Sequence, residues 1–282
     1  MKILVHLHLY YQEMLDEMLA YVANLSGYDY DLVVTAAGLE PAAADRLQRF
    51  NPGVRIMEVE NRGYDVAPFV KVLKAVNLDE YDYVIKIHTK QNLKSRAWLP
   101  DCSFVGDEWR RLLLSFMDSP DKVRKVLGIF AAHPKVGMIS HYNLIIAAAA
   151  EDREANRRAE EIMTAMRLVP GSRRFVAGTM FIARARLLKP LREYPCATED
   201  FELYNKDVPG GSLAHVYERL FGYVITAQGY DIASYAPETH LIRLGHLLRR
   251  LALFLVRVKI NGKNKMVVKI CKIPVYSGKL KS

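Results

Sequence analysis

The first ninety residues alternate short runs of β-branched and apolar residues with stretches whose apolar residues recur at helical spacing. ILVHLHLY, YDLVVTAA, VRIMEVE and YDYVIKIHT read as strands. YQEMLDEMLAYVANL, PAAADRLQRF and APFVKVLKAV lie between them and read as helices, the second with Pro41 in its first turn. Few architectures accept this pattern. It predicts an α/β fold, a mostly parallel sheet wound by right-handed crossovers and flanked by helices. Ligands on such sheets bind beyond the carboxyl ends of the strands. That rule gathers His8, Tyr10, Thr35, Asn61 and His88 at one mouth.

Further along, GDEWRRLLLSFMDSPDKVRKVLGIFAAHP reads as two helices broken at Ser119–Pro120. VGMISH reads as a strand and EDREANRRAEEIMTAMRLV as a charged helix, where Glu154 and Arg158 stand one turn apart and can pair. FVAGTMFIA is expected as one strand. SLAHVYERLFGYVITA is expected as a helix stopped at Gly222 and followed by a strand.

With 282 residues, 51% of them hydrophobic, the chain can bury a substantial core. Cys102, Cys196 and Cys271 form no CxxC pair, so neither a zinc site nor a disulfide framework is indicated, and a reducing, cytosolic setting is expected. MKILVHLHLYY reads as a strand rather than a signal peptide. No run of about 18 uncharged apolar residues is present, so no membrane-spanning helix is expected.

The formal charge of +9 is concentrated at one end. Residues 239–282 hold 11 Lys and Arg and no Asp or Glu, leaving 29 basic against 31 acidic residues elsewhere, a net of −2. The chain therefore divides into a nearly neutral domain, 1–238, and a basic tail, 239–282. This argues against a nucleic-acid-binding core and for a tail that meets an anionic surface. Residues 241–260, LIRLGHLLRRLALFLVRVKI, have helical spacing, with Arg243, His246, Arg250 and Arg257 on one stripe. Such a helix can lie in a membrane interface. It can equally dock on its own domain or on a second copy in a homodimer.

Four stretches can carry chemistry. ENRGYDVAPF follows a strand, and Gly63 there permits an unusual backbone angle or close approach of a ligand. Asn61 and Asp65 bring hydrogen-bonding side chains, though Asp65 can simply cap the next helix. In KIHTK, strand alternation puts Lys86, His88 and Lys90 on one face. Three cations at a strand end suit a diphosphate, the task a divalent metal often performs; the plainer reading is a solvated charged face. Gly178 inside a strand pattern marks either a bulge or close approach of a ligand. His215 and Glu218 share a helix face next to Arg219. Glu218 can deprotonate a sugar hydroxyl, or it can form a surface pair with Arg219.

Taken together, VHLHLYY, DLVVT, ENRGYDVAPF, YDYVIKIHTKQN, GDEWRRLLL, VGMIS, FVAGTMFIARARLL and AHVYERLFG resemble, in order over roughly residues 1–230, the rhamnan synthesis F family. That resemblance implies a GT-A-like glycosyltransferase of bacterial surface polysaccharide synthesis. The expected donor is dTDP-rhamnose and the expected acceptor a lipid-linked saccharide. Transfer is inverting, with Glu218 as base and Asp200 as second candidate. His8, Asn61, Gly63, Asp65, Lys86, His88, Lys90 and Gly178 are expected around the nucleotide sugar, and His215 and Arg219 at the acceptor or behind it. GT-A enzymes usually carry Asp-x-Asp where this chain has His88–Thr89–Lys90, so the expected site is metal-independent or only weakly dependent on Mg²⁺ or Mn²⁺. The protein would work at the inner face of the plasma membrane, held by residues 241–260. The rival is an inactive GT-A-like scaffold in a polysaccharide assembly.

Overall fold

A computed structural model describes residues 1–100, 102–149, 152–203 and 212–236, and the backbone of 256–260, 265–270 and 273–279. The chain divides into two compact units, residues 1–96 with 104–236, and residues 97–103 with 237–282.

The larger unit opens with the expected alternation: β1 (Lys2–His8), α1 (Leu15–Ala23), β2 (Asp29–Ala36), α2 (Pro41–Phe50), β3 (Arg55–Glu58), α3 (Val66–Ala75) and β4 (Tyr83–His88). A two-stranded sheet of β5 (Leu93–Trp98) and β6 (Ser103–Gly106), not read from the sequence, follows. Then come α4 (Glu108–Leu114) and α5 (Pro120–Ala132), with Ser119 capping α5 by accepting from Lys122 N–H and Pro120 opening its first turn. β7 (Val136–Ser140), β8 (Ile145–Ala147), α6 (Arg153–Ala165), β9 (Arg174–Val176), β10 (Phe181–Arg184), α7 (Lys189–Glu193), α8 (Leu213–Ala227) and β11 (Asp231–Ser234) complete the unit.

Seven strands form the main sheet in the order β11-β7-β10-β4-β1-β2-β3. Strands β3, β2, β1 and β4 run parallel, β10 runs against both β4 and β7, and β11 returns parallel to β7. The central strands are buried on both faces, which is why β1 and β4 read as near-continuous apolar runs. One face breaks that pattern. Parallel register pairs His6 with Lys86 and His8 with His88, all four buried. Phe69 of α3 stacks on the His6 ring at 5.3 Å and meets Phe181 and Phe221 edge-on, closing the core over this polar row.

Two expected elements differ. FVAGTMFIA is two strands: β9 pairs with β8 in a small sheet, and β10 enters the main one. Gly178 and Thr179 between them take positive φ, which no continuous strand accommodates. Gly222 does not stop α8, which runs on to Ala227. Its missing Cβ lets the helix lie directly on β9, where an added Cβ would abut Arg174 O and stand 2.7 Å from Phe175 Cα. On α6, Glu154 pairs with Arg157, at 2.7 Å.

In the second unit, β12 (Val256–Ile260), β13 (Lys265–Ile270) and β14 (Ile273–Lys279) form an antiparallel meander. The helix expected over 241–260 is thus corrected at 256–260, where VRVKI alternates with period two and pairs as a strand. Residues 241–255 lie outside the described residues. Among the described residues no helix is long and apolar enough to cross a membrane.

Candidate active site

Two clefts open beyond the carboxyl ends of β1 and β4. The first, of about 230 Å³, is lined by His8, Tyr10, Tyr11, Asn61, Tyr64, Asp65, His88, Thr89, Lys90, Gln91 and Leu93. The second, of about 200 Å³, is lined by Tyr64, Asp65, Val66, His88, Lys90, Gly178, Thr179, Ala214, His215 and Glu218. Tyr64, Asp65, His88 and Lys90 belong to both, so the clefts meet at these four residues.

The junction is built around Asp65. It begins α3, yet its carboxylate caps nothing. Oδ2 instead accepts from Lys86 Nζ at 2.5 Å and from the Thr179 hydroxyl, and stands 3.4 Å from His88 Nδ1. Burial opposes charge on Asp65, but the Lys86 ammonium beside it, together with the hydrogen bonds from Lys86 and Thr179, holds its carboxyl well below the usual carboxylate range. Lys86 is fully buried; it also donates to Thr179 O at 3.1 Å and lies over the rings of Phe69 and Phe221. Burial lowers its pKa and Asp65 works the other way. Burial keeps His88 neutral, its pKa well below 6.5. Of the three expected cations, Lys86 is therefore turned inward to an internal carboxylate and His88 is neutral, so Lys90 is the one of the three that brings charge to the clefts. Lys90 Nζ lies 5.8 Å from the centre of the Trp109 ring.

Backbone strain concentrates here. Tyr64 and Thr179 hold φ near +53°, an uncommon conformation for side-chain-bearing residues. Gly63 also has positive φ, but what approaches its bare Cα is Ala67 and Phe201, since a Cβ would stand 2.6 Å from Ala67 Cβ and 2.7 Å from the Phe201 ring. Its role is packing, reinforced by Gly63 N–H donating to Glu202 O at 2.9 Å. Gly178 likewise packs on Leu113 of α4, and its N–H donates to Glu218 Oε1 at 2.8 Å.

Glu218 thus faces the second cleft with one oxygen fixed by a backbone donor. Burial raises its pKa above 4.5, partly offset by the Gly178 hydrogen bond. His215, one turn earlier, lines the same cleft, shares a 2.7 Å hydrogen bond with Ser212 Oγ and meets the Tyr64 ring edge-on. Arg219 points elsewhere: it donates to His215 O at 2.7 Å and to Asp152 Oδ2 at 2.6 Å, tying α8 to the start of α6. Asp200 is also set apart. Its carboxylate accepts from its own turn at Ala197 N–H, and it lines a different cleft with Tyr194 and Cys196.

At the first cleft, Thr89 Oγ1 accepts from both Tyr10 and Tyr11 N–H at 3.0 Å, latching the loop after β1 to the end of β4. Asn61, after β3, lines the same cleft. Tyr11, Tyr64 and Thr179 were not singled out in the sequence. Only a strand break at Gly178 could have pointed to Thr179. Among the described residues no cluster of three His, Cys, Asp or Glu is arranged to hold a metal ion.

Residues 1–230 match the model of a family described as rhamnan synthesis protein F. The chain is 26% identical over 234 residues to an uncharacterized protein, WxcX, of Xanthomonas campestris pv. campestris strain B100. A WxcX from strain ATCC 33913 of the same pathovar is 25% identical over the same length. In both, the match covers 82% of this chain and 32% of the relative, so the chain spans about a third of the relatives' length. Among solved structures, S. aureus TarS in complex with UDP-GlcNAc is similar at a TM-score of 0.42 and 13% identity, over 86% of this chain and 60% of that one. Glucosyl-3-phosphoglycerate synthase from Mycobacterium tuberculosis, with Mn²⁺, UDP and phosphoglyceric acid, is similar at a TM-score of 0.42 and 14% identity, over 99% and 89%. The layout expected of a GT-A-like domain, a mostly parallel sheet flanked by helices, is the one observed.

Proposed function

The chain belongs to the rhamnan synthesis protein F family, and from that premise we propose that it is a glycosyltransferase acting on a nucleotide-activated sugar in bacterial surface polysaccharide synthesis. The observation that carries the reading is the meeting of two clefts at Tyr64, Asp65, His88 and Lys90, with Glu218 held toward the second by Gly178 N–H. The first cleft takes the nucleotide and the second the acceptor hydroxyl.

In this reading transfer inverts the anomeric carbon. The acceptor oxygen attacks the anomeric carbon as its proton passes to Glu218. The bond from that carbon to the diphosphate oxygen breaks, and the nucleoside diphosphate leaves with the electron pair. A carboxylate whose pKa is raised takes a proton more readily than an ordinary one. Lys90 meets the charge that develops on the leaving group. The donor set does not fit a divalent metal, because Asp65, the carboxylate at the junction, is committed to Lys86 and Thr179. No step needs one. dTDP-rhamnose is the proposed donor, a lipid-linked saccharide the proposed acceptor, and residues 241–260 the proposed contact with the inner membrane surface.

A panel of nucleotides and nucleotide sugars tests the reading by thermal shift, each with Mn²⁺, with Mg²⁺ and with chelator. At about 100 times its dissociation constant a ligand adds roughly 2.7 kcal/mol of stability, enough for several degrees. A shift with one nucleotide sugar that survives chelator is expected. A shift that requires Mn²⁺ keeps the transferase and sinks the metal-free site. The internal pairing of Asp65 also favours a second reading, an inactive scaffold; it requires that no nucleotide sugar shift the melt and that Glu218→Gln change no turnover.

A further inference from the structure

Behind the first cleft lies a polar chain that the proposed reaction does not use. His6 is fully buried in β1, and its Nε2 lies 2.8 Å from Thr35 Oγ1 on the neighbouring strand. The same hydroxyl lies 3.0 Å from Nδ1 of His8, which lines the cleft. One Thr hydroxyl thus bridges two imidazoles, and it has a single hydrogen to give.

That single hydrogen constrains both rings. His6 Nδ1 is buried with no hydrogen-bond partner. If it carried the proton, an N–H would be left buried and unmet, the costlier defect. With the proton on Nε2, His6 donates to Thr35 Oγ1 and leaves only a bare ring nitrogen, on a ring flanked by Phe69. Thr35, having accepted from His6, then donates to His8 Nδ1. With Nδ1 accepting from Thr35, His8 carries its own hydrogen on Nε2, the ring nitrogen not bonded to the Thr35 hydroxyl. Burial and the nearby Lys86 keep His6 uncharged, and burial lowers His8 to about 4, so neither ring gains a second proton near neutrality.

We infer that His6 and Thr35 are positioning residues: a buried relay that fixes His8 as the Nε2–H tautomer and so presents an uncharged N–H donor to an oxygen of the bound nucleotide. The recognition half of this inference rests on reading the first cleft as the nucleotide site. An orientation locked by two strands costs a ligand nothing to organise. An uncharged donor also adds no further cation beside Lys86 and Lys90.

Long-range proton–nitrogen NMR on histidine-labelled full-length protein at pH 7.5 reads the tautomer directly, with His8 assigned by the signals lost in His8→Gln. The Nε2–H pattern is expected in the parent and in Thr35→Ser, which keeps the hydroxyl. Thr35→Val is expected to lose it, and His6→Phe, which keeps the aromatic packing, to give mixed tautomers. An Nδ1–H pattern in the parent overturns the relay, as does an unchanged pattern in either of the last two variants. Titration with dTDP and with UDP then reads its use: about tenfold weaker binding by Thr35→Val and near-parent binding by Thr35→Ser is expected. Equal binding by parent and Thr35→Val overturns the role in recognition. If the parent binds neither nucleotide, the nucleotide reading of the cleft fails, while the NMR pattern still decides the relay.

Discussion

Asp65 and Glu218 stand at one junction of clefts and are driven to opposite behaviour by what surrounds them. Asp65 is locked in its charged form by Lys86, so removing either partner strands a buried charge. Asp65→Asn is expected to destabilise by about 3–5 kcal/mol in urea unfolding, and Asp65→Asn with Lys86→Met to recover most of that. A double variant whose loss equals the sum of the losses of Asp65→Asn and Lys86→Met alone would show that the pair is not coupled. Glu218 has its pKa raised, so between 4.5 and that raised value the folded chain holds more protons than the unfolded one. Stability therefore falls as pH climbs through this window, and the cost persists above it. Glu218→Gln keeps an oxygen for Gly178 N–H and removes the cost. It is expected to melt no lower than the parent at pH 7.5 while its kcat drops about 10²–10⁴-fold. A lower melt would place Glu218 among the structural carboxylates. Strand alternation made the shared face of Lys86 and His88 legible. It did not show that α3 and α8 cover that face, because Asp65 and Thr179 reach Lys86 from 21 and 93 residues away.

Among elements, α8 shows where local pattern and tertiary packing disagree. A glycine ten residues into a helical pattern reads as a stop, since it weakens an isolated helix by about 1 kcal/mol relative to alanine. Here the contact with β9 overrides that preference, because only a hydrogen fits between Gly222 Cα and the backbone of Arg174 and Phe175. Gly222→Ala is therefore expected to destabilise by about 1–3 kcal/mol despite better helix propensity. Gly128, exposed on α5 with nothing within 4 Å of an added Cβ, supplies the control: Gly128→Ala is expected to stabilise by up to about 1 kcal/mol. Urea midpoints moving in the same direction for both would refute the packing account. The parallel half of the sheet was legible because each strand–helix unit carries its own period. The β9–β10 break was not, since apolar residues flank it on both sides and the deciding feature is a pair of positive φ angles at Gly178 and Thr179.

For the whole molecule, the division of charge in the sequence sets the largest remaining expectation. A domain of net −2 has little pull toward an anionic surface, whereas the 11 basic residues of 239–282 face no acidic residue within their own segment. Part of that charge lies on paired strands, with Arg257 and Lys269 partners in the backbone register. Each basic residue near an anionic lipid surface contributes about 1 kcal/mol. Replacing Arg243, Arg249, Arg250 and Arg257 by Gln is thus expected to weaken binding to phosphatidylserine-containing vesicles by roughly 10³-fold. Parent binding should itself fade as salt rises from 0.01 to 0.15 M, because the screening length shrinks from about 30 to 8 Å over that range. Vesicle co-sedimentation measures both effects, with neutral phosphatidylcholine vesicles as the reference. The nucleotide-induced thermal shift of the variant should match the parent's, because no site residue is touched. Undiminished binding by the variant, or equal binding to neutral vesicles, would instead assign the tail to a protein surface, a second copy of this chain included.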